Sequence, residues 1–96
     1  MNPKDLLEHV RRKPGMYWGQ TEHPFTALCA FMSGVQVGGG PCLVPEDFAQ
    51  FVAQRLGERW PTGKGTMSFI RDHTASEQKA FELFFQLLDE YENKTA

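Results

Sequence analysis

The side chains that could hold a metal ion or act as nucleophiles are few and widely spaced in this sequence. The candidates are His9, His23, His73, Cys29 and Cys42. Zinc sites usually draw on C-x-x-C or H-x3-H spacings, which bring two ligands to one side of the ion. None of the five candidates stands at such a spacing. The sequence therefore predicts no metal site and no bound cofactor.

Phosphate-binding and nucleophilic chemistry have equally little support. Segment 63–66 reads G-K-G-T, whereas a Walker loop needs Ser or Thr directly after its lysine. Cys29 lies on the apolar face of a predicted helix, where deprotonation of a thiol is unfavourable. The adjacent carboxylates of Asp89 and Glu90 point in different directions on a helix. We therefore expect a protein that is not an enzyme.

Acidic residues near the end of the sequence depart from ordinary helix design. From Asp72 onward, six acids stand against two lysines, which gives a net charge of −4. Asp89, Glu90 and Glu92 fall in the last turns of a predicted helix, where the helix dipole disfavours each by about a few tenths of a kcal/mol. In the local sequence only Lys94 offsets them. Two interpretations stay open: an acidic end that aids solubility, and an acidic patch that meets a basic partner surface.

A basic triplet, Arg11, Arg12 and Lys13, carries part of the compensating charge. It falls in the last turn of the first predicted helix, where the dipole favours cations, so a charge cap is the main interpretation. The alternative is a phosphate-binding role, and a nucleic-acid binder would lose affinity steeply with salt. The net charge of −2 weakens that class, because nucleic-acid-binding domains are usually distinctly basic. We expect no nucleic-acid partner.

The elements that would position these residues are all predicted to be helices. The first helix runs from an Asn2 N-cap to the Pro14-Gly15 break, the second from Pro24 to about Gln36, and the third from Pro45-Glu46-Asp47 to Gly57. Segment 67–71 is ambiguous, and a helical turn is favoured over a strand. The last helix begins with a Thr74-x-x-Glu77 capping box and reaches Tyr91. The predicted fold is all-α, a compact bundle of four to five helices in a single domain over residues 1–96.

The sequence shows no sign of a membrane or secretory protein. Its first residues, M-N-P-K, lack the apolar stretch of a signal peptide. No apolar run approaches the ~20 residues that cross a bilayer. We expect a cytoplasmic location, with no membrane partner and with free, reduced cysteines, Cys29 being buried.

Four segments in order resemble one family of small bacterial proteins. Arg12 to Gly19 is similar to an R-P-G-M-Y-x-G turn, and Leu28 to Gly34 to an L-x-x-F-[LM]-x-G helix. Phe48 to Val52 resembles F-x-x-F-[VI], and Ala80 to Tyr91 resembles A-F-x-x-F-F-x-L-L-D-E-[FY]. Proteins of this family are often encoded beside polymorphic toxins and are thought to be their immunity proteins. The resemblance implies a protein that binds a cognate toxin and neutralises it by stoichiometric occlusion.

The candidate partner-binding residues are one tyrosine, two tryptophans and the three terminal acids: Tyr17, Trp18, Trp60, Asp89, Glu90 and Glu92. Aromatic side chains are enriched among binding hot spots, and acids suit the polar rim around them. For the turn itself a structural interpretation is also open, in which Met16 and Tyr17 pack back into the core. The alternative function is a helical interaction or regulatory module that self-associates, for example as a homodimer.

Overall fold

The computed structural model describes residues 2–45, 47–59 and 65–95, with the side chains of 94 and 95 excepted. Six helices cover these residues: α1 Pro3–Arg12, α2 Gly15–Trp18, α3 Pro24–Val37, α4 Phe48–Arg55, α5 Thr66–Asp72 and α6 Glu77–Thr95. The described ranges contain no strand. The predicted all-α fold is therefore confirmed, and the helix beyond the expected four to five is the single turn α2.

The chain divides into two compact units, Met1–Pro45 and Glu46–Ala96. The first unit holds α1 to α3, and the second holds α4 to α6, which pack against one another. The prediction of a single domain over residues 1–96 stays a prediction. No helix among the described residues is long and apolar enough to cross a membrane.

Helix α1 begins as its sequence predicts. The Asn2 side-chain oxygen accepts a hydrogen bond from the Asp5 backbone N–H at 2.8 Å, and Pro3 occupies the first position. Such an N-cap stabilises a helix by about 1 kcal/mol. In the last turns Glu8 pairs with Arg11 at 3.9 Å and with Arg12 at 3.6 Å. These exposed pairs add little stability, but they agree with the charge-cap interpretation of the basic triplet.

Helix α3 continues through Gly34 and ends at a glycine turn. The Gly40 N–H donates to the Val35 carbonyl at 2.8 Å, and Gly39 has a φ of 89° that side chains rarely adopt. A Cβ atom on Gly40 would lie 2.7 Å from the Val35 side chain and 2.8 Å from its carbonyl oxygen. Close backbone approach therefore requires glycine here.

Helix α4 begins later than predicted. Its first helical residue is Phe48, and Asp47 occupies the N-cap position without accepting a capping hydrogen bond. The expectation that the helix opens at Pro45-Glu46-Asp47 is wrong for the described residues Pro45 and Asp47, and Glu46 lies outside them. The physical reason is the Asp47 backbone, whose φ of −95° and ψ of 10° are those of a turn rather than of a helix.

The connection between α5 and α6 corrects another prediction. Segment 67–71 is helical, as favoured, within Thr66–Asp72. Thr74, however, does not cap α6: its hydroxyl donates to the Ile70 carbonyl at 2.9 Å and so closes the end of α5. The N-cap of α6 is Ser76, whose hydroxyl oxygen accepts from the Lys79 N–H at 3.2 Å. Of two nearby hydroxyls, the one adjacent to the first helical residue takes the cap.

Aromatic side chains dominate the buried part of the second unit. Phe84 contacts Phe85 at 4.9 Å and Phe48 at 5.9 Å between ring centroids, both in edge-to-face geometry. The buried apolar residues of this unit are Phe48, Val52, Ala53, Phe69, Ile70, Ala80, Phe81, Phe84, Phe85, Leu87 and Leu88. In the first unit they are Leu7, Val10, Phe25, Leu28 and Leu43. Edge-to-face aromatic pairs stabilise a fold by about 0.5–1.5 kcal/mol each beyond their buried area.

Candidate functional site

The first candidate site is the single helical turn α2, which carries Tyr17 and Trp18. Pro14 precedes the turn, and Gly19 ends it with an N–H that donates to the Gly15 carbonyl at 3.0 Å. Gly19 has a φ of 69°, a conformation that favours glycine at the end of a helix. The P-G-M-Y-W-G sequence therefore folds into a closed turn immediately after α1.

Tyr17 fixes this turn to both neighbouring helices of its unit. Its hydroxyl shares a hydrogen bond with Nδ1 of His9 on α1, and the two rings meet edge to face at 5.6 Å. On the other side its ring meets that of Phe31 on α3 at 5.3 Å, with an interplanar angle of 69°. Tyr17 is half-buried. The polar end and the ring of one side chain thus connect three helices.

Trp18 is attached to the same anchor. Its ring lies 6.1 Å from that of Phe31, at an angle of 63°, and it is also half-buried. Phe31 therefore supports both aromatic side chains of the turn. Half-buried Tyr and Trp side chains keep part of their surface available to a partner while their orientation is fixed.

Met16 points the other way. Its side chain is 69% exposed, so the interpretation that Met16 packs into the core is wrong. Consecutive residues of a helix project about 100° apart, and with Tyr17 directed toward His9 and Phe31 the preceding residue is directed outward. Among the described residues, the other large apolar side chain reported as exposed is Val37, at 89%, at the end of α3. The turn that carries the two anchored aromatics therefore also carries an exposed thioether.

The second candidate site is the acidic end of α6. Glu90 pairs with Arg55 of α4, with Nε to Oε1 at 2.9 Å; the side chains are 36% and 48% exposed. The expectation that only Lys94 offsets the terminal acids is therefore wrong. Arg55 lies 35 residues earlier in the chain, and no local pattern links it to Glu90. The second carboxylate oxygen of Glu90 is buried and accepts no hydrogen bond within the described structure.

The other two terminal acids, Asp89 and Glu92, are half-buried on α6. They share the second unit with Glu90, whereas Tyr17 and Trp18 belong to the first. Trp60, the remaining sequence candidate, lies outside the described residues. The structure thus brings Tyr17 and Trp18 together on one turn and keeps the three acids on one helix end.

A feature that sequence analysis missed joins α4 to α6. The Tyr91 hydroxyl donates a hydrogen bond to Oδ1 of Asp47, and the Tyr91 ring meets Phe51 edge to face at 5.5 Å. The pKa of Tyr91 is raised above its ordinary value of 10.0, first by this hydrogen bond, then by burial and by the negative charge of Asp47. The partnership spans 44 residues, so only a tertiary contact reveals it.

Next to this contact lies a cleft of about 230 Å³. Its lining residues are Asp47, Gln50, Phe51, Gln54 and Tyr91. The first four stand at positions i, i+3, i+4 and i+7 of one helical stripe, D-x-x-Q-F-x-x-Q, which is the sequence signal that could have identified it. The stripe combines a carboxylate, two amides and a ring on one surface.

Potential metal ligands and thiols also occur elsewhere in the described ranges. No group of three or more His, Cys, Asp or Glu residues there is arranged to hold a metal ion. His73 and Glu58 do meet, with Nε2 to Oε1 at 2.9 Å, as an exposed pair. Cys29 and Cys42 form no disulfide; Cys29 is half-buried rather than buried, and Cys42 is exposed. Searches with protein-family models, among curated proteins and among solved structures found no match to the chain.

Proposed function

We propose that this protein is an immunity protein that binds a cognate bacterial toxin and neutralises it by stoichiometric occlusion, without catalysis. The chain-wide order of four motifs that resemble such proteins supports the proposal. The protein covers the toxin's active site or a surface that the toxin requires. It acts in the cytoplasm, where a toxin of the producing cell must be neutralised.

The observation that carries the binding role is the exposed Met16 on an anchored turn. Met16 is 69% exposed, while Tyr17 and Trp18 beside it are held by ring contacts with Phe31. A turn fixed before binding loses little conformational entropy when a partner docks, so more of the contact energy appears as affinity. Met, Tyr and Trp are residue types enriched at protein interfaces.

The acidic end of α6 supplies the electrostatic part of the proposal. Asp89, Glu90 and Glu92 present negative charge that would attract a basic surface, such as that of a toxin that acts on nucleic acid. Charges of this kind chiefly raise the association rate and make it depend on salt. Arg55 pairs with Glu90 and offsets part of its charge, so the test varies Asp89 and Glu92 together.

The test is co-expression with the product of the gene immediately upstream, followed by growth measurement and a pull-down. We expect the wild-type protein to restore growth and to form a stable complex. Met16→Ser and Trp18→Ala should weaken both, because they remove apolar contact surface at the turn. Val37→Ser is the matched control, since Val37 is an exposed apolar residue of the same unit outside the turn.

Two results would count against parts of this proposal. Equal protection by Met16→Ser, Trp18→Ala and wild type would remove the turn from the interface. An unchanged association rate in the double variant Asp89→Lys and Glu92→Lys would remove the acids. Circular dichroism of each variant establishes that it is folded before it is scored.

Self-association is the second candidate function, and the same exposed Met16 favours it. An apolar side chain on a fixed turn can meet a second copy as readily as another protein. Size-exclusion chromatography with light scattering separates the two functions. A tight homodimer that Met16→Ser dissociates, together with no complex or rescue in co-expression, would replace the immunity role with this one.

A further inference from the structure

The cleft on the second unit has chemistry that neither the resemblance nor the proposed function accounts for. Its lining combines the carboxylate of Asp47, the amides of Gln50 and Gln54, and the rings of Phe51 and Tyr91. Asp47, Gln50 and Gln54 are exposed, while the two aromatic residues are half-buried. The polar side chains are therefore the more accessible part of the lining, and the two aromatic residues are partly covered.

Asp47 departs from the usual behaviour of its position. Aspartate at a helix N-cap normally accepts hydrogen bonds from the first backbone N–H groups, yet the Asp47 side chain caps nothing. Its Oδ1 accepts instead from the Tyr91 hydroxyl, a contact between α4 and α6. The carboxylate is thus fixed at the cleft by a tertiary contact, and its negative charge also helps to raise the pKa of Tyr91.

The charge and the hydrogen-bonding geometry of the lining groups indicate which kind of ligand the cleft would bind. Of the lining residues, Asp47 bears the formal charge, and none is basic, so an anion would be repelled. Amide and carboxylate oxygens accept hydrogen bonds, and a guanidinium offers five donors in a plane and no acceptor. Guanidinium groups also stack on aromatic rings. A lysine ammonium offers three donors and no planar face, so it fits the set less well.

We propose that this cleft binds the guanidinium group of an arginine side chain on a protein partner. Asp47 accepts the charge-assisted hydrogen bond, Gln50 and Gln54 accept from the remaining N–H groups, and the rings of Phe51 and Tyr91 contact the planar face. A volume of about 230 Å³ is large enough for one such side chain but not for a folded element. This inference rests on the proposed function only for the identity of the partner, since a toxin that acts on nucleic acid presents arginine residues.

The test uses the full protein and a small probe, N-acetyl-arginine amide, titrated in NMR spectra. We expect saturable shifts of the Gln50 and Gln54 side-chain amides. The neutral isostere N-acetyl-citrulline amide should not bind, and N-acetyl-lysine amide should bind more weakly. Equal binding of the citrulline or lysine probe, or shifts confined to residues outside the cleft, would overturn the proposal.

Two variants and a control sharpen the test. Asp47→Asn keeps an oxygen that can accept from Tyr91 but removes the charge, and we expect about tenfold weaker binding, the loss of one charge-assisted hydrogen bond. Gln54→Glu adds a carboxylate and should bind the arginine probe more tightly, a gain that misfolding cannot mimic. Asp5→Asn is the matched control, because it removes a carboxylate that does not line the cleft. Unchanged affinity in both cleft variants would overturn the proposal.

The outcome is separable from that of the proposed function. If the wild-type protein restores growth while the arginine probe fails to bind, the cleft proposal is overturned and the immunity role stands. If the probe binds as expected while the upstream product is neither bound nor restrained, the cleft is supported and the immunity role is overturned.

Discussion

Replacing Phe31 with leucine tests whether the turn that carries Tyr17 and Trp18 is held by ring contacts. Phe31 meets Tyr17 at 5.3 Å and Trp18 at 6.1 Å, both near edge to face. Such a pair is worth about 0.5–1.5 kcal/mol, so the loss of both predicts a destabilisation of about 1–3 kcal/mol. Leucine keeps much of the volume, which keeps the cavity contribution small.

Urea unfolding is the assay, read by Trp18 fluorescence. The chain has two tryptophans, so a Trp60→Phe background makes Trp18 the sole reporter of the first unit. With a urea slope of about 1 kcal/mol/M, the low end for a small protein, we expect the Phe31→Leu midpoint to fall by about 1–3 M.

A double-mutant cycle of Phe31→Leu with Tyr17→Leu isolates one ring pair. Loss of the His9 hydrogen bond is common to both variants that lack Tyr17, so it cancels. We expect a coupling free energy of about 0.5–1.5 kcal/mol. The control cycle pairs Tyr17→Leu with Val37→Ala, which should be additive because Val37 is 89% exposed. A coupling within about 0.3 kcal/mol of zero for the Phe31 cycle would refute the claim that rings fix the turn.

Two further predictions concern the second unit. In a Tyr17→Phe background Tyr91 is the only tyrosine. We expect its tyrosinate absorbance to titrate above the ordinary pKa of 10.0, and the pKa to move back toward 10.0 in Asp47→Asn. Because the pKa of Tyr91 is raised in the folded protein, its contact with Asp47 stabilises the fold fully below pH 10.0, and this stabilisation is lost as the pH rises through the folded pKa. Urea midpoints that do not fall over that pH range would contradict the contact. Ser76→Ala should destabilise α6 by about 1 kcal/mol and speed hydrogen exchange of the Lys79 amide. An unchanged exchange rate of that amide in the variant would show that Ser76 does not cap the helix.

Features that depend on neighbouring residues were predictable from the sequence. Asn2 followed by Pro3 predicts the start of α1, and the apolar spacing of 80–91 predicts the buried face of α6. These signals act over one or two helical turns, where the rules of capping and periodicity apply. Such rules locate a helix start only to within about two residues: Thr74 was the predicted N-cap of α6, and the hydroxyl that caps the helix belongs to Ser76.

Features that depend on tertiary contacts were not predictable. Arg55 pairs with Glu90 across 35 residues, and Tyr91 with Asp47 across 44, so neither partner is visible in a local pattern. The start of α4 was misplaced because Asp47 adopts a turn conformation that its residue type does not signal. Packing of Met16 into the core was one of two open interpretations of the turn, and its 69% exposure excludes it.

The hydrogen bonds made by Tyr17 and by Tyr91 close loops of different length, and this difference affects the order of folding. His9 and Tyr17 are 8 residues apart, whereas Asp47 and Tyr91 are 44 apart. Closure entropy grows with the logarithm of loop length, so the longer loop costs about 1.5 kcal/mol more. We expect the turn after α1 to form early, and the contact between α4 and α6 to form late in the folding reaction.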